Sequence, residues 1–412
     1  MIYDEKFNGN VSYVNKLNKA RILELIRNSS GISQARLAKE TGLSPTTVFR
    51  IVEKLIEDGL VKETGHGESI GGRPPTILKF DGKNRYVIGI DLGTTNIYGI
   101  LTDLNAKIIA EEKIPTEITS GFYKVAERTS GVIQALLNKL SIGQLKQVYG
   151  IGIAVAGLIN LEKKIIEFSP DFHWYDVDIA GEISKWHKYP IIFDNVTRVM
   201  ALGELCFGVG KKYKSFIFIN VGYGIGAGIV INGELLYGAD GMAGEFGHIN
   251  VEKDSPIRCE CGNFGCLESL ASGNALAKIA RIRLENGSNS VLTEMVEGNL
   301  SQITAEIVAR AAKIGDPLAL EVFETGMTYL GIGVANLINI FNPEVVVMGG
   351  GVTLAGEMLF EKVRQVAKAR ALQRMARNVD IIPATFGMKA AAMGALSLIL
   401  NKILNFDLEL KP

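Results

Sequence analysis

Two distant stretches of this chain follow the same plan, and this repetition constrains the fold more than any other feature. YVIGIDLGTTNIYGILTD (residues 86–103) and SFIFINVGYGIGAGIVINGELLYG (residues 215–238) each begin with a β-prone run, pass through a glycine-rich turn and continue into further strands. In the second stretch, Asn232-Gly233 is a strong signal for a two-residue hairpin. An internal duplication of this kind predicts two similar α/β lobes whose glycine-rich turns face each other across a cleft.

The glycine-rich turns are candidate phosphate-binding elements, because bare backbone N–H groups can cradle an anion. Neither turn carries the lysine of a P-loop. A single turn of this type is better explained as a tight hairpin that needs positive φ. The matched pair favours a cleft that held a nucleotide or sugar phosphate by ancestry. The residues of these vestigial nucleotide turns are Asp91, Gly93, Thr94, Gly222 and Gly224.

Length and composition indicate a soluble protein with several domains. The chain has 412 residues, which suggests two or three domains, and 47% of them are hydrophobic, enough for a large packed interior. Acidic and basic residues balance at 44 each, which argues against a polyanion binder as a whole but not against one basic module. The apolar runs are short and the N-terminus carries no signal pattern. We therefore expect a cytoplasmic protein without a membrane span.

The first 82 residues differ from the rest and predict a DNA-binding head. After a helix over residues 18–28, Ser33 caps a second helix that ends at Gly42, and Ser44-Pro45 begins a third. Two capped helices joined by a glycine-containing turn form the helix-turn-helix pattern. The start of the third helix points polar side chains outward, where a recognition helix reads base edges. The predicted DNA-contacting residues of this helix are Ser44, Thr46, Thr47 and Arg50.

A second DNA contact is predicted in the segment that follows the third helix. Two β-prone runs in LVKETGHGESIGGRPPTILKF flank a glycine-rich tip, which is typical of a wing. Arg73 projects from GGRPP at this tip, and such a composition suits insertion into a narrow minor groove. The alternative is a small helical module that docks another protein. The capped third helix, the wing and the basic balance together favour DNA.

Three of the four cysteines crowd into HINVEKDSPIRCECGNFGCLE and predict a metal centre. His248, Cys259, Cys261 and Cys266 supply one imidazole and three thiolates, which suits tetrahedral Zn²⁺ with no open position. Such a closed site is structural. The alternative is a set of buried free thiols near an unrelated histidine. Cys206 stands apart and is most simply a core residue.

Polar residues around this loop predict a site for a sugar or another polyol. Glu245 lies three residues before His248, Glu268 ends the cysteine-rich loop, and Asp194 and Asn195 lie at the mouth of a predicted helix. Several carboxylates with an amide and a fixed imidazole supply the acceptors and donors that sugar hydroxyls require. The alternative is a set of unconnected surface acids.

At this point the chain resembles the ROK family (repressors, open reading frames, kinases), and its layout resembles the xylose-operon-type repressors within that family. The resemblance covers nearly the whole chain, and the cysteine-rich motif is its most specific part. The motifs are IDLGTTN (90–96), GYGIGAG (222–228), GMAGEFGH (241–248), CECGNFGCLE (259–268) and NPEVVVMGGG (342–351).

The resemblance implies an α/β, two-lobed, actin-like (RNase H-like) fold behind a winged helix-turn-helix. The implied parts are the head at 1–82, a small lobe at 83–200 with a C-terminal helix at 388–404, and a large lobe with the zinc loop at 201–387. It further implies structural Zn²⁺ on the four ligands above. The sugar would be held by the residues that match the family pattern, Asn195, Glu245, His248 and Glu268. Asp171 is a weaker match, since kinase members commonly have Asn there.

The resemblance also indicates that the kinase chemistry is lost. Kinase members resemble ENDANAAALGE where this chain has FDNVTRVMALGE, so the catalytic Asp falls on Val196, which cannot accept a proton. Asp194 lies two residues earlier and would point elsewhere. Thr94 replaces a usual glycine in the first turn, and the bulky Tyr223 replaces a small residue in the second. No catalytic residue is therefore assigned.

These features together predict a sugar-responsive transcriptional repressor. We expect operator DNA and a pentose or hexose as partners, and a homodimer or homotetramer as the assembly. Closure of the cleft on the sugar would change the spacing of the DNA-binding heads. Two alternatives stay open: a DNA-binding ATP-dependent sugar kinase, and a regulator whose input is a protein partner.

Overall fold

The computed structural model describes residues 11–66 and 75–406, and within these the N-terminal head is a winged helix-turn-helix. Its elements are α1 (Val11–Asn28), β1 (Ile32–Ser33), α2 (Gln34–Thr41), α3 (Pro45–Glu57), β2 (Val61–His66) and β3 (Thr76–Phe80). The Ser33 hydroxyl accepts a hydrogen bond from the Arg36 N–H, and Gly42 ends α2 at φ 72°. Ser44 caps α3 in the same way. The helix boundaries predicted from the caps are confirmed.

The small lobe follows the head and contains a five-stranded sheet in the order β11-β7-β4-β5-β6. Its elements are β4 (Tyr86–Leu92), β5 (Asn96–Asp103), β6 (Ile108–Pro115), α4 (Phe122–Leu137), α5 (Ile142–Leu145), β7 (Val148–Val155), β8 (Leu158–Asn160), β9 (Ile165–Ser169), β10 (Trp174–Val177), α6 (Ile179–Ile183) and β11 (Ile191–Asn195). A separate three-stranded sheet, β10-β9-β8, extends this lobe beside the cleft. The next helix, α7 (Val196–Phe207), leads out of the lobe.

The large lobe contains a second five-stranded sheet, in the order β14-β13-β12-β15-β16. Its elements are β12 (Phe216–Val221), β13 (Ile225–Ile231), β14 (Glu234–Leu235), α8 (Leu267–Ala271), α9 (Gly273–Glu285), α10 (Leu292–Met295), α11 (Ala305–Lys313), α12 (Pro317–Phe341), β15 (Val345–Gly349), α13 (Glu357–Arg370), α14 (Gln373–Ala376) and β16 (Asp380–Pro383). The chain then returns to the small lobe as α15 (Ala390–Leu404).

The two sheets share one topology, which confirms the predicted duplication. In each, the first strand (β4 or β12) pairs antiparallel with the second and parallel with the fourth. The predicted hairpin turn is present too: Asn232 and Gly233 have φ of 53° and 81°, as a two-residue turn with two left-handed positions requires.

Two helices, α7 and α15, cross between the lobes. α15 packs on β4 and β7 of the small lobe, and α7 packs on β13 of the large lobe. At their crossing, a Cβ on Gly203 would lie 2.8 Å from the Gly394 Cα, so only glycine allows this approach. The lobe boundary predicted at residue 200 falls inside α7 rather than between elements.

α12 and the segment Gly387–Leu404 are long and apolar enough to cross a membrane by length and composition. Their most apolar windows are 61% and 72% buried inside the protein, respectively. Burial of this extent is typical of core helices, and α12 supplies thirteen buried residues to the large lobe, among them Phe323, Met327 and Leu330.

Candidate functional site

A cleft of about 460 Å³ lies between the glycine-rich turns of the two lobes and collects nearly all the predicted site residues. The predicted residues that line it are Asp91, Gly93, Thr94, Asp171, Asn195, Gly224, Glu245, His248, Cys259, Cys261 and Glu268. Gly222 lies just outside this lining and donates its N–H to the Gly224 carbonyl at 2.9 Å. Residues brought together from both lobes and from the cysteine-rich loop thus share one space.

Asn195 is fixed at the floor of the cleft because it is both the last residue of β11 and the N-cap of α7. Its Oδ1 accepts hydrogen bonds from the N–H groups of Thr197 at 2.9 Å and Arg198 at 3.4 Å. Its Nδ2 donates to the Gly157 carbonyl at 3.0 Å. One amide proton therefore stays available to a ligand, in a fixed direction.

The prediction that Asp194 belongs to the polar site is wrong. Asp194 is only 2% exposed, and its Oδ1 accepts two hydrogen bonds from the guanidinium of Arg198, at 3.0 Å and 2.5 Å. Arg198 in α7 is equally buried, and sequence reasoning missed it although it stands only four residues after the acid. The carboxylate is buried in an ion pair and is not part of the cleft lining, so it does not replace the proton acceptor missing at Val196.

Glu268 reaches the cleft from the start of α8 and is held by the second glycine-rich turn. Its Oε2 accepts the Ile225 N–H at 2.8 Å, which leaves its other oxygen for a ligand. A Cβ on Gly224 would lie 2.4 Å from this Oε2. Glycine at this position therefore admits an acidic side chain that faces the cleft, in addition to any role in phosphate binding.

Burial raises the pKa values of three carboxylates around the cleft, and neighbouring negative charges add to this at Asp171 and Glu245. Desolvation first, then the charges of Glu268 and Glu260, raises the pKa of Asp171 to about 6. Desolvation also raises the pKa of Glu245, although His248 and Arg198 act against this. At Asp91 in the first turn, burial raises the pKa to about 7. A cluster of carboxylates disfavours the binding of an anionic ligand and suits uncharged hydroxyl groups, which donate hydrogen bonds to it.

Asp171→Asn is expected to stabilise the protein at pH 7.5 and to lose this advantage near pH 4. The raised pKa means that the folded state binds the Asp171 proton more tightly than the unfolded chain does, so wild-type stability falls as pH rises from about 4 to about 6. Asparagine does not ionise and escapes that loss. Melting temperatures of both proteins across this pH range test the sign. Asp176→Asn, at an exposed carboxylate on β10, is the control, and a D171N protein less stable than wild type at pH 7.5 would contradict the argument.

The four predicted metal ligands converge into one cluster that could hold a metal ion. The His248 Nδ1 lies 3.7 Å from the Cys259 Sγ, the Cys261 and Cys266 Sγ atoms are 3.7 Å apart, and all four ligand atoms lie within 4.8 Å of one another. Zn–S bonds of about 2.3 Å in a tetrahedron place sulfur atoms about 3.8 Å apart, so the donor set and spacing suit Zn²⁺. The Nδ1 side of His248 faces the thiolates, which leaves Nε2 for the cleft.

The cysteine-rich loop is shaped by its backbone. Cys259 donates its N–H to the Asn263 carbonyl at 2.8 Å, and isolated bridges join Asn250 to Cys266 and Arg258 to Phe264. Gly265 has φ 71°, and a Cβ there would lie 1.9 Å from the Glu252 carbonyl oxygen. Cys206, as predicted, lies away from this cluster and is buried.

The head presents the predicted recognition surface to solvent. Thr46 and Arg50 are exposed on α3 and Thr47 is half-buried, while Val48, Ile51, Val52 and Leu55 are buried on its inner face. Ser44 is exposed, but its hydroxyl accepts the Thr47 N–H, so part of its hydrogen-bonding capacity is used in the cap. The strands of the wing pair antiparallel, with Val61 opposite Phe80. Arg73 lies outside the described residues.

Sequence reasoning missed several polar side chains that also line the cleft. Arg258 and Glu260 come from the cysteine-rich loop, and Asn274 and Lys278 from the first turns of α9. The available signal was Ser272, which caps α9 and accepts the Ala275 N–H at 3.1 Å. A helix whose N-cap lies four residues after a predicted ligand-binding acid carries its first turns back to the same site.

The fold and the cleft define a class: a two-lobed protein of the sugar-kinase type that carries a winged helix-turn-helix head. A profile for the ROK family matches residues 87–402, and one for winged helix-turn-helix DNA-binding domains matches residues 17–62. The chain belongs to the ROK family.

Full-length relatives share this layout. The chain is similar to a xylose repressor of Caldicellulosiruptor bescii, 33% identical over 402 residues, which are 97% of this chain and 99% of the relative. Among solved structures, a ROK-family transcriptional regulator homologous to the E. coli MLC protein is 30% identical, with a TM-score of 0.82, over 95% of this chain and 97% of its own. A ROK glucokinase of Streptomyces griseus in complex with glucose and AMPPNP is 28% identical, with a TM-score of 0.68, over 76% of this chain and 98% of its own.

Proposed function

We propose that this protein is a sugar-responsive transcriptional repressor that binds operator DNA through its head and a pentose or hexose in the cleft. One observation carries the proposal: a cleft lined by fixed polar groups belongs to the same chain as a recognition helix, and the two are packed into one continuous structure. The regulator layout of the similar full-length proteins supports the same conclusion.

The sugar would be bound by Asn195, Glu245, His248 and Glu268, with Asp171 in the same cleft lining. These groups offer an amide donor, an imidazole nitrogen and several carboxylate oxygens in one cavity. Adjacent sugar hydroxyls each donate and accept, so a rigid mixture of this kind matches them. The name of the C. bescii relative makes D-xylose the first candidate.

The metal would be structural Zn²⁺ on His248, Cys259, Cys261 and Cys266. A Cys₃His set leaves no open coordination position, so the ion would fold the loop and take no part in chemistry. Its consequence for the sugar is orientation, because a metal on Nδ1 fixes the imidazole plane and its tautomer.

The protein is proposed not to be an enzyme. Val196 lines the cleft at the position matched to the catalytic Asp, and Asp194 is held in its buried pair with Arg198. Tyr223, 57% exposed, projects from the second glycine-rich turn, where phosphates would lie. Phosphoryl transfer needs both a proton acceptor at the sugar hydroxyl and space for the nucleotide.

Repression would require a dimer or higher homo-oligomer on DNA, because winged heads read half-sites whose spacing reflects the protein's symmetry. Thr46, Thr47, Arg50 and Ser44 would lie in the major groove, with Arg73 in the minor groove. A sugar that binds the closed cleft better than the open one shifts the population of head arrangements and so changes operator affinity.

The proposal is tested with the full-length protein and a DNA duplex that the protein selects from a random-sequence pool with and without sugar. Anisotropy titrations with D-xylose, D-glucose and N-acetylglucosamine should show a sugar-dependent change in operator affinity. If no sugar changes operator affinity and a regulatory protein is found bound at the cleft, the alternative that a protein partner controls this regulator would be favoured.

The same sugars with ATP and Mg²⁺ should give no phosphorylated product by mass spectrometry, since Val196 cannot accept the hydroxyl proton. Sustained turnover would establish the kinase alternative. The ROK glucokinase of S. griseus is the positive control for the assay.

A further inference from the structure

The DNA-binding head is mounted across the junction of the two lobes. On the small-lobe side, the guanidinium of Arg85 donates to the carbonyl of Gly59 at 2.7 Å and of Asp58 at 2.5 Å, and its Nε donates to the Tyr149 hydroxyl at 3.2 Å. Asp58 is the C-cap of the recognition helix α3, and Gly59 is the next residue. The small lobe therefore holds this end of the recognition helix directly.

The apolar core of the head continues into the same lobe. Ile22, Leu23 and Ile26 of α1 belong to one buried cluster with Leu396 and Ile399 of α15. The cluster also contains Val87 and Ile100, from β4 and β5. A shared core of this kind couples the position of the head to the small lobe and α15.

The other attachment of the head is to the end of α7. Arg27 of α1 donates from Nη2 to the Cys206 carbonyl at 3.1 Å, and its guanidinium lies 5.3 Å from the centre of the Phe207 ring. These two residues are the last in α7. The bond links groups 179 residues apart in the chain.

The end of α7 is in turn fixed to the large lobe by Glu204, a fully buried carboxylate. The N–H and hydroxyl of Thr385 each donate to it at 2.6 Å, and the Val209 N–H donates at 3.0 Å. Thr385 follows β16, so Arg27 holds the head to the large-lobe side of the junction while Arg85 holds it to the small-lobe side.

α7 also connects this attachment to the cleft. Its N-cap Asn195 and first residues Val196 and Thr197 line the cleft, so a ligand there contacts the helix whose last residues, Cys206 and Phe207, meet Arg27. Between these points α7 crosses α15 at the Gly203–Gly394 contact, where a Cβ on Gly394 would lie 2.2 Å from the Val199 carbonyl oxygen. Backbone meets backbone at this contact, and side chains of both helices, among them Val199, Leu202 and Ala395, pack around it in one buried cluster. The two glycines let the helix axes approach closely, which suits a small rotation of one helix on the other.

We propose that Arg27 is a positioning residue that transmits the state of the cleft to the head. Rotation of α7 against α15 at the glycine crossing would move the Cys206 carbonyl relative to the Arg85 anchors, and the head, held at both, would tilt. This inference rests on the proposed function, because it assigns the route by which sugar binding changes operator affinity.

Arg27→Met tests the proposal, since methionine keeps an apolar contact with Phe207 and removes the donors. The matched control is Arg21→Met, on the same helix, whose guanidinium donates to the Glu40 and Thr41 carbonyls inside the head. For wild type and both variants, the selected duplex is titrated with and without D-xylose, and D-xylose affinity is measured by calorimetry.

Wild type and R21M should show the same ratio of operator affinities with and without sugar, in the range of roughly 5- to 150-fold that is usual for allosteric coupling. In R27M the ratio should fall toward 1 while D-xylose affinity without DNA is kept. A merely structural role would change operator affinity in both states and leave the ratio unchanged, and that result would overturn the proposal. A wild type that binds no sugar of the panel would overturn the proposed function, and the relay with it.

Discussion

Replacement of Cys261 by serine is expected to remove the bound metal and to lower the melting temperature by about 8–16 °C. A ligand present at about a thousand times its Kd stabilises the folded state by about 4 kcal/mol, and each kcal/mol shifts the melting temperature by about 2–4 °C in a domain of this size. Cys261 is the exposed member of the cluster, so the substitution leaves no cavity in the core. Metal analysis of the purified protein and thermal denaturation are the measurements.

Cys206→Ala is the matched control, because Cys206 is the cysteine outside the cluster. It should retain one zinc per chain, whatever packing it loses. Chelation of wild type should lower its melting temperature to that of C261S and leave C261S unchanged. If C261S kept full stability, or if chelation destabilised both proteins equally, the structural role of the metal would be contradicted.

Much of the fold could be predicted because its signals are local or repeated. The glycine-rich turns occur twice, with their strands, and duplication of a unit determines duplication of its sheet topology. Ser33, Gly42 and Ser44 are helix signals that act within four residues, so α2 and the start of α3 could be bounded closely, whereas α1, which has no such signal in the predicted stretch, begins seven residues earlier than predicted. The cluster that could hold a metal ion was predictable, since three of its four residues lie in eight consecutive positions.

The way the head and the two lobes pack together could not be predicted, because it depends on contacts between residues that are far apart in the sequence. Nothing near Arg27 indicates that its partner is the Cys206 carbonyl, and nothing near Glu204 indicates Thr385. Asp194 shows the same limit at short range. Its spacing to Arg198 allowed an ion pair, but only the packing shows that both groups are buried and that the carboxylate is withdrawn from the cleft.

The sequence predicted which residues line the cleft better than it predicted what each side chain contacts there. Glu268 and Asn195 line the cleft as expected, yet each also holds the backbone, Glu268 at Ile225 and Asn195 at the start of α7. A side chain with both tasks is oriented by one and available for the other. A test of sugar binding must therefore remove the contact with the ligand and keep the hydrogen bond to the backbone.

Glu268→Gln makes that separation and is expected to weaken sugar binding by about 10- to 150-fold, since a hydrogen bond to a charged group contributes about 1.5–3 kcal/mol. The glutamine carbonyl can still accept the Ile225 N–H at the position of Oε2, while the oxygen that faces the cleft becomes an NH₂ group that cannot accept. D-xylose affinity is measured by calorimetry, and the sugar concentration that changes operator affinity should rise by the same factor.

Glu260→Gln provides the control, because this carboxylate also lines the cleft and the substitution removes the same charge. Glu260 is exposed on the cysteine-rich loop, and its contact among the described residues is the Asn274 amide at 3.4 Å. If the cleft acted only through its net negative charge, E260Q and E268Q would change sugar affinity equally. We expect E260Q to bind sugar as wild type does, because only E268Q loses a direct acceptor for a sugar hydroxyl. Both variants should retain one metal per chain. Equal losses would replace the bound-hydroxyl interpretation of Glu268 with a purely electrostatic one.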